Sequence, residues 1–208
     1  MSRVSLRQFD NSWYQPGRPR WQQIAWFFVG LPLLRSAVLP SSSFRVWLLR
    51  RFGAAVGDGA VIKPGVRVKY PWHLRVGNDS WLGEDCWIDN LAPVTLGSDV
   101  CISQGAYLCT GNHDWNDPAF GLRTEPICVG DGAWVGARAM LAPGTHLGEG
   151  AVAAAGSVVL RNIPPWEVHV GNPASFLRKR RIRISGDAGA PDETVSTAVG
   201  MRAAGVGQ

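Results

Sequence analysis

His113 is the residue of this sequence best suited to acid–base chemistry. The chain has four histidines, and only His113 lies in a long interruption of an otherwise regular repeat, in the segment TGNHDW. The ordinary pKa of histidine, about 6.5, lets a neutral imidazole take a proton from a hydroxyl near neutral pH. We therefore predict that His113 acts as a general base, with Asp114 beside it to orient the ring or raise its basicity. A loop histidine without a role is the alternative.

The cysteines do not predict a metal site. Cys86, Cys101, Cys109 and Cys128 have no zinc-ligand spacing such as C-x-x-C, so we expect reduced thiols in a cytoplasmic protein and no bound metal. The 208 residues, of which 46% are apolar, are enough for one domain with extensions. The net charge of +5 favours anionic partners.

A six-residue period predicts the scaffold that must hold His113. The signature [V/L]-G-x-[D/G] starts at positions 56, 76, 96, 129 and 147, and an apolar leader recurs every sixth residue within each unit. Neither a helix nor a hairpin array has this period, whereas three hexapeptides per 18-residue turn are typical of a parallel β-helix. We expect one leader per side to point into a triangular core, and the glycine after it to suit a tight corner. The fifteen leaders are Val56, Ile62, Val68, Val76, Leu82, Ile88, Leu96, Ile102, Leu108, Val129, Val135, Leu141, Leu147, Ala153 and Val159.

Extra residues enter three of these units at the same point. The unit starts are 20, 20, 33 and 18 residues apart, so the first three units exceed 18 residues by 2, 2 and 15. Because the second leader of each unit keeps its register, the additions fall within residues 68–75, 88–95 and 108–128. We predict that all three lie along one edge of the prism, where stacked insertions commonly build a binding face.

The N-terminal region differs from the repeat in composition. Residues 1–20 are polar and predict an extended arm, whereas residues 21–52 are rich in Trp, Phe and Leu. Pro32 and Pro40 suggest breaks between two short helices, the second capped by Ser43. The segment is interpreted either as a cap on the open end of the core or as a peripheral membrane anchor. Its longest apolar run is too short to span a bilayer.

The composition divides the chain into four regions. Residues 1–55 are predicted to form the arm and a helical cap, and residues 56–170 the β-helix, with a loop at 114–128. Asn172-Pro173 predicts the start of a basic helix over residues 171–184. Residues 185–208 have almost no large apolar side chain and are predicted to be disordered.

Several segments resemble the left-handed β-helix acyltransferases. VKYPWHLRVGNDSWLGEDCWIDNLAPVTLG, CISQGAYLCTGNHDW and AAGSVVLRNIPPWEVHVGNPASFLRKR are similar to the colanic-acid type exopolysaccharide acetyltransferases and to galactoside and maltose O-acetyltransferases. The resemblance implies an all-β, left-handed parallel β-helix of hexapeptide repeats, with an N-terminal helical cap and a short C-terminal helix. It also implies a homotrimer with sites between protomers and acetyl-CoA as co-substrate. His113 would deprotonate a sugar hydroxyl, which attacks the thioester without a covalent acyl-enzyme.

The resemblance also assigns the remaining site residues. The acceptor-binding positions it implies are Asp89, Asn90, Asp114 and Trp115. The positions implied beside the CoA pantetheine are Trp134, Gly136, Ala137, Ala154 and Ala155. Two basic residues, Arg161 and Arg178, match positions near the CoA phosphates.

Two other functions stay open at this point. A γ-type carbonic anhydrase uses the same prism with three histidines on zinc, but this chain lacks the H-x-x-x-x-H pair typical of that class. A non-catalytic trimeric scaffold, docked on the inner face of the cytoplasmic membrane by residues 21–52, is the other alternative. Nucleic-acid binding has little support because the arginines are not part of a recognisable binding fold.

Overall fold

Short parallel strands wind around a three-sided core in the computed structural model, which describes residues 3–39 and 41–182. Successive strands pass to sheets A, B and C in turn, and each strand pairs with the strand one turn later. Sheet A contains β1 (Ala55–Val56), β4 (Leu74–Val76), β7 (Val94–Leu96), β12 (Ile127–Val129) and β15 (His146–Leu147). Sheet B begins with β2 (Val61–Ile62), β5 (Trp81–Leu82), β8 (Cys101–Ile102), β13 (Trp134–Val135) and β16 (Val152–Ala153). Sheet C contains β3 (Arg67–Val68), β6 (Trp87–Asp89), β9 (Tyr107–Cys109), β14 (Met140–Leu141) and β17 (Val158–Val159).

The apolar leaders form the core, as predicted. All fifteen are buried, and none is more than 8% exposed. The register places each leader beside the leader of the next turn, so Val56 lies beside Val76 and Val76 beside Leu96. Burial of one such side chain contributes roughly 1.5–3 kcal/mol. The solenoid has about six turns, and its all-β architecture agrees with the left-handed winding that the resemblance implies.

The signature [V/L]-G-x-[D/G] has two separate structural causes. Its fourth residue has a left-handed backbone at every occurrence, with φ of +54° at Asp79 and +63° at Gly150, which Gly and Asp tolerate better than most residues. Its glycine is required instead by the close approach of the next turn. A Cβ at Gly77 would lie 2.4 Å from the carbonyl carbon of Gly97. The glycine does stand at the corner, directly before the two turn residues, and the close approach of the next turn is the reason for its small size.

The N-terminal helices cover the first turn, which confirms the cap. α1 (Arg20–Ala25), a π-helical segment (Trp26–Gly30) and α2 (Leu31–Arg35) follow each other without a break, so the predicted break at Pro32 is wrong. Pro32 directly follows the wider π-helical turn, which closes with a hydrogen bond from the Leu31 N–H to the Trp26 carbonyl.

The second predicted helix is α3 (Ser42–Arg51), which packs on β1 and β2. Its N-cap is Ser41, whose Oγ accepts a hydrogen bond from the Phe44 N–H at 3.2 Å, and not Ser43 as predicted. Leu48 and Leu49 of this helix are buried and join the core.

The C-terminal region is a β-hairpin, so the basic helix predicted for residues 171–184 is wrong. β18 (Glu167–Val170) extends sheet B beside β16, and β19 (Ser175–Lys179) pairs with it in antiparallel orientation after a turn that contains a cis Asn172-Pro173 bond. The second strand supplies hydrogen-bond partners to the open edge of β18, which a helix could not do. The tail predicted to be disordered, residues 185–208, lies outside the described residues.

Candidate active site

The three insertions lie at one corner of the prism, as predicted. Each connects a strand of sheet C to the following strand of sheet A, on three adjacent turns. The first contains a 3-10 helix (Pro71–His73), and the third is an antiparallel hairpin of β10 (Gly111–His113) and β11 (Leu122–Thr124). His113 is therefore the last residue of a strand, where the paired hairpin backbone holds it.

The His113 ring is held by Phe120. Its Nδ1 lies 2.9 Å from the carbonyl oxygen of Phe120, and its ring stacks on the Phe120 ring at 4.3 Å with an interplanar angle of 7°. A carbonyl oxygen can only accept, so Nδ1 carries the proton and donates it. This leaves the lone pair of Nε2 free to accept a proton, which is the state that a general base requires. Phe120 has a φ of +53°, a backbone conformation that few non-glycine residues adopt.

An N-terminal arm, defined here as residues 3–19, crosses this corner and is tied to all three insertions. In the first insertion, the indole N–H of Trp72 donates a hydrogen bond to the carbonyl of Pro16 in the arm. In the second insertion, the carbonyl of Leu91 accepts a hydrogen bond from the hydroxyl of Tyr14 in the arm, at 2.7 Å. In the third, the Ser5 N–H donates to the Pro118 carbonyl at 2.8 Å. The sequence predicted an extended arm but not this position.

The arm and the insertions line an open cavity of about 1070 Å³, here called the His113 cavity. Phe9 lies against the histidine, with ring centroids 5.6 Å apart. Burial raises the pKa of Tyr14 and Tyr70, so both hydroxyls keep their protons near neutral pH. Because no carboxylate lines the cavity within the described part of the chain, His113 is the side chain there that can accept a proton. Sequence reasoning missed the arm residues, whose only signal was a few aromatic side chains in a polar segment.

The four predicted acceptor-binding residues do not all face this cavity. Asn90 is fully buried, and its amide binds both the N–H and the carbonyl of Tyr70, so it supports the corner from inside and does not line the cavity. Asp89 lies beside a neighbouring groove, and its Oδ1 is 3.0 Å from Lys69 Nζ, in an ion pair without directed hydrogen-bond geometry.

The two acceptor residues after His113 lie on the hairpin. Asp114 pairs with Arg123, and its Oδ1 accepts from the Asn116 N–H at 3.0 Å. The group hydrogen-bonded to His113 Nδ1 is the carbonyl of Phe120 and not Asp114. Trp115 is 68% exposed.

The residues predicted to bind the pantetheine lie together at a different corner, between sheets B and C. The backbones are so close that a Cβ at Gly136 would lie 2.5 Å from the Ala155 nitrogen. The Ala137 carbonyl accepts from Gly156, and the Ala154 N–H donates to the His169 carbonyl, both at 2.8 Å. Trp134 is 45% exposed at this site. Its indole N–H donates to Ser103 Oγ at 2.8 Å, which fixes the ring.

The two predicted phosphate-binding arginines are exposed. Arg178 lies on β19. It belongs to a row of paired residues across sheet B, which starts at Trp134 and continues through Val152 and Val168. Arg178 is therefore three strand spacings, or about 14 Å, from Trp134. Arg161 follows β17. A third arginine, Arg180, is used structurally, since its Nη1 donates to the carbonyls of Gly132 and Gly150 at 2.7 and 3.0 Å.

The other groups capable of chemistry are dispersed. Within residues 3–39 and 41–182, no three His, Cys, Asp or Glu side chains are grouped to hold a metal ion. His169 pairs with Glu167 at 2.9 Å, and hydrogen bonds to His169 and Lys179 hold the pKa of Glu167 below its usual value. All four cysteines are free thiols, as predicted. Burial raises the pKa of the Cys86 thiol to about 12, so it packs as a small apolar side chain.

The relatives of this chain are named as acetyltransferases. A family profile described as hexapeptide repeat of succinyl-transferase matches residues 126–161. The colanic acid biosynthesis acetyltransferase WcaF of Escherichia coli strain K12 is 40% identical over 137 residues, which cover 66% of this chain and 75% of WcaF.

Two crystal structures show the same fold. A maltose O-acetyltransferase from Clostridium difficile 630 matches with a TM-score of 0.66 at 25% identity, over 74% of this chain and 83% of that one. A hexapeptide-repeat acetyltransferase from Vibrio cholerae, complexed with acetyl-CoA, matches with a TM-score of 0.69 at 23% identity, over 78% and 87% of the two chains. The repeat, the three-sheet core and the extent of identity to WcaF lead to one conclusion: the chain belongs to the hexapeptide-repeat acetyltransferases.

Proposed function

We propose that this protein is an acetyl-CoA-dependent O-acetyltransferase that acts on a sugar hydroxyl in extracellular polysaccharide biosynthesis. The proposal depends mainly on the position of His113, which lines a large cavity. The Nδ1–H of His113 donates a hydrogen bond to the Phe120 carbonyl, which leaves Nε2 available as a base. The naming of WcaF for colanic acid biosynthesis supports the polysaccharide acceptor.

The proposed reaction is a direct transfer. The acceptor hydroxyl gives its proton to His113 Nε2 while its oxygen forms a bond to the thioester carbonyl carbon. The carbon–sulfur bond then breaks, the oxygen keeps the acetyl group, and the proton passes from the imidazolium to the CoA sulfur. A positioned general base contributes a factor of about 10² to 10⁴ to such a rate, and holding both substrates together contributes more.

The donor site of the proposal lies between subunits of a homotrimer. His113 and Trp134 occupy different corners of one chain, so a complete site requires the Trp134 corner of a neighbouring subunit. Ala154 and Ala155 are small enough for a pantetheine chain to approach the backbone, and Arg178 lies along the same row of sheet B as Trp134 for the phosphates. The acetyl-CoA complex of the Vibrio cholerae protein supports a donor of this kind.

The proposed function predicts acetylation of a glycan. Purified protein incubated with acetyl-CoA and a panel of glycans is expected to add one acetyl group to at least one of them, measured by mass spectrometry, with release of an equal amount of CoA thiol. Light scattering on the same sample should give the mass of three chains. CoA release without an acetylated glycan would oppose the proposal.

We also propose that the cytoplasmic protein binds the inner face of the cell membrane through residues 21–52. Ile24, Phe27 and Phe28 are 57%, 63% and 71% exposed, and exposed arginines such as Arg20 and Arg35 flank them. Apolar side chains that enter the headgroup layer and cations that meet anionic lipid stabilise such binding. No described helix is long and apolar enough to cross a bilayer.

Replacement of the two phenylalanines tests this surface. The double variant F27S/F28S is expected to bind anionic vesicles at least about tenfold more weakly in a sedimentation assay, because two aromatic rings no longer enter the membrane. F176S/L177S is the matched control, since these adjacent residues are 54% and 56% exposed on β19. Equal loss in both variants, or none in either, would contradict membrane binding by residues 21–52.

A further inference from the structure

The His113 cavity carries positive charge. Its charged lining residues are Arg18, Arg20 and Lys69, and no carboxylate lines it within the described part of the chain. Lys69 is neutralised by its ion pair with Asp89 at 3.0 Å. No ion pair is formed by Arg18 or Arg20 within residues 3–39 and 41–182. Arg18 and Arg20 therefore line the same space as the imidazole, and neither is paired with a carboxylate among the described residues.

The cavity is also larger than a single sugar ring needs. Its volume of about 1070 Å³ is at the upper limit for pockets that hold drug-sized ligands, about 300–1,000 Å³. The cavity therefore has room for an acceptor that extends beyond the ring whose hydroxyl reacts at His113. The two arginines come from the arm and from the first residue of α1, so the part of the acceptor that reaches them is bound by the N-terminal region.

We propose that the acceptor is a phosphate-linked sugar, a glycosyl phosphate or diphosphate, with its phosphate bound by Arg18 and Arg20 and its reacting hydroxyl at His113. Guanidinium groups match the geometry of phosphate oxygens with paired hydrogen bonds, which makes arginine the side chain suited to this ligand. This inference rests on the proposed acetyltransferase function, and it names the class of acceptor.

The phosphate could belong to either of two carriers. An apolar groove of about 560 Å³ adjoins the cavity and shares Gln23, Lys69 and Tyr70 with it. Its other lining residues include Ile24, Trp26, Phe27, Phe28 and Leu31. A sugar diphosphate with an apolar chain could extend into this groove, whereas a nucleoside carrier would leave it empty. The test therefore includes both.

The experiment compares acceptors that share one sugar. The neutral methyl glycoside, the nucleoside diphosphate sugar and the sugar diphosphate of a short isoprenoid alcohol are each assayed with saturating acetyl-CoA. We expect at least one phosphate-linked form to have a kcat/KM at least about tenfold above that of the glycoside. The double variant R18Q/R20Q should raise the KM for that form at least about tenfold, with little change in kcat and no change for the glycoside.

A matched control separates this effect from a general loss of charge. The double variant R7Q/R51Q removes the same charge from two exposed arginines outside the cavity and should leave the KM unchanged. Equal kcat/KM for the glycoside and both phosphate-linked forms would overturn the inference and leave the acetyltransferase proposal standing. An equal response to the two double variants would also overturn it. If the wild-type protein acetylates none of the three and no other glycan, both proposals fail.

Discussion

His113→Ala is expected to lower the rate of acetyl transfer by at least about 100-fold while the protein keeps its fold. The substitution removes the proposed base, and the ring contributes to the surface of the cavity rather than to the core. The hairpin that carries it stays paired through the backbones of β10 and β11. Steady-state assays of CoA release, with circular dichroism and binding of acetyl-CoA on the same preparation, measure the two parts of this expectation.

His146→Ala is the control for this prediction. His146 is exposed on sheet A and lines no part of the His113 cavity, so its removal should leave the rate unchanged. Turnover by the His113 variant at the wild-type rate would refute the mechanism. Loss of activity together with loss of acetyl-CoA binding would instead indicate damage to the donor site.

Arg45→Met is expected to destabilise the protein by at least about 3 kcal/mol. The Arg45 side chain is fully buried between the N-terminal helices, where burial lowers its pKa. It donates to the carbonyls of Leu34, Ser36, Leu39 and Ser41, which close the connection between α2 and α3. Methionine has a similar length but no donor, so the buried Leu34 carbonyl and the part-buried carbonyls of Ser36 and Leu39 would lose these hydrogen bonds. The free energy of unfolding is measured by urea denaturation.

Arg51→Met on the same helix is the matched control. Arg51 is exposed, and its substitution should change the free energy of unfolding by less than about 0.5 kcal/mol. If the two variants unfold at the same urea concentration, Arg45 does not hold the cap as described.

The β-helix could be predicted from the sequence because the same pattern, an apolar leader at every sixth residue, is repeated in every turn. Each leader must enter the core, so the period identifies fifteen buried residues and places the three insertions at one corner. The acetyltransferase prediction is confirmed at the level of the family. The role of His113 stays a prediction.

The parts that could not be predicted depend on contacts distant in the sequence. Nothing in the local pattern places Phe9 against His113 or ties the arm to the insertions. The hairpin that begins at Glu167 depends on the open edge of β16, and the helix-like signal at Asn172-Pro173 did not reveal it. The family resemblance assigned Asn90 to acceptor binding, but the side-chain amide of Asn90 forms hydrogen bonds with the backbone of Tyr70.

The three hydrogen bonds that hold the arm imply that the arm is synthesised first but reaches its final position late. Tyr14 and its partner are 77 residues apart in the chain, and the partner of Ser5 is Pro118. The arm leaves the ribosome first, yet its last anchor does not exist until more than half of the protein has been made. Since closing such long loops is slow, the pocket forms late, on turns that have already stacked in the correct register. A chain with misaligned turns would lack the pocket altogether.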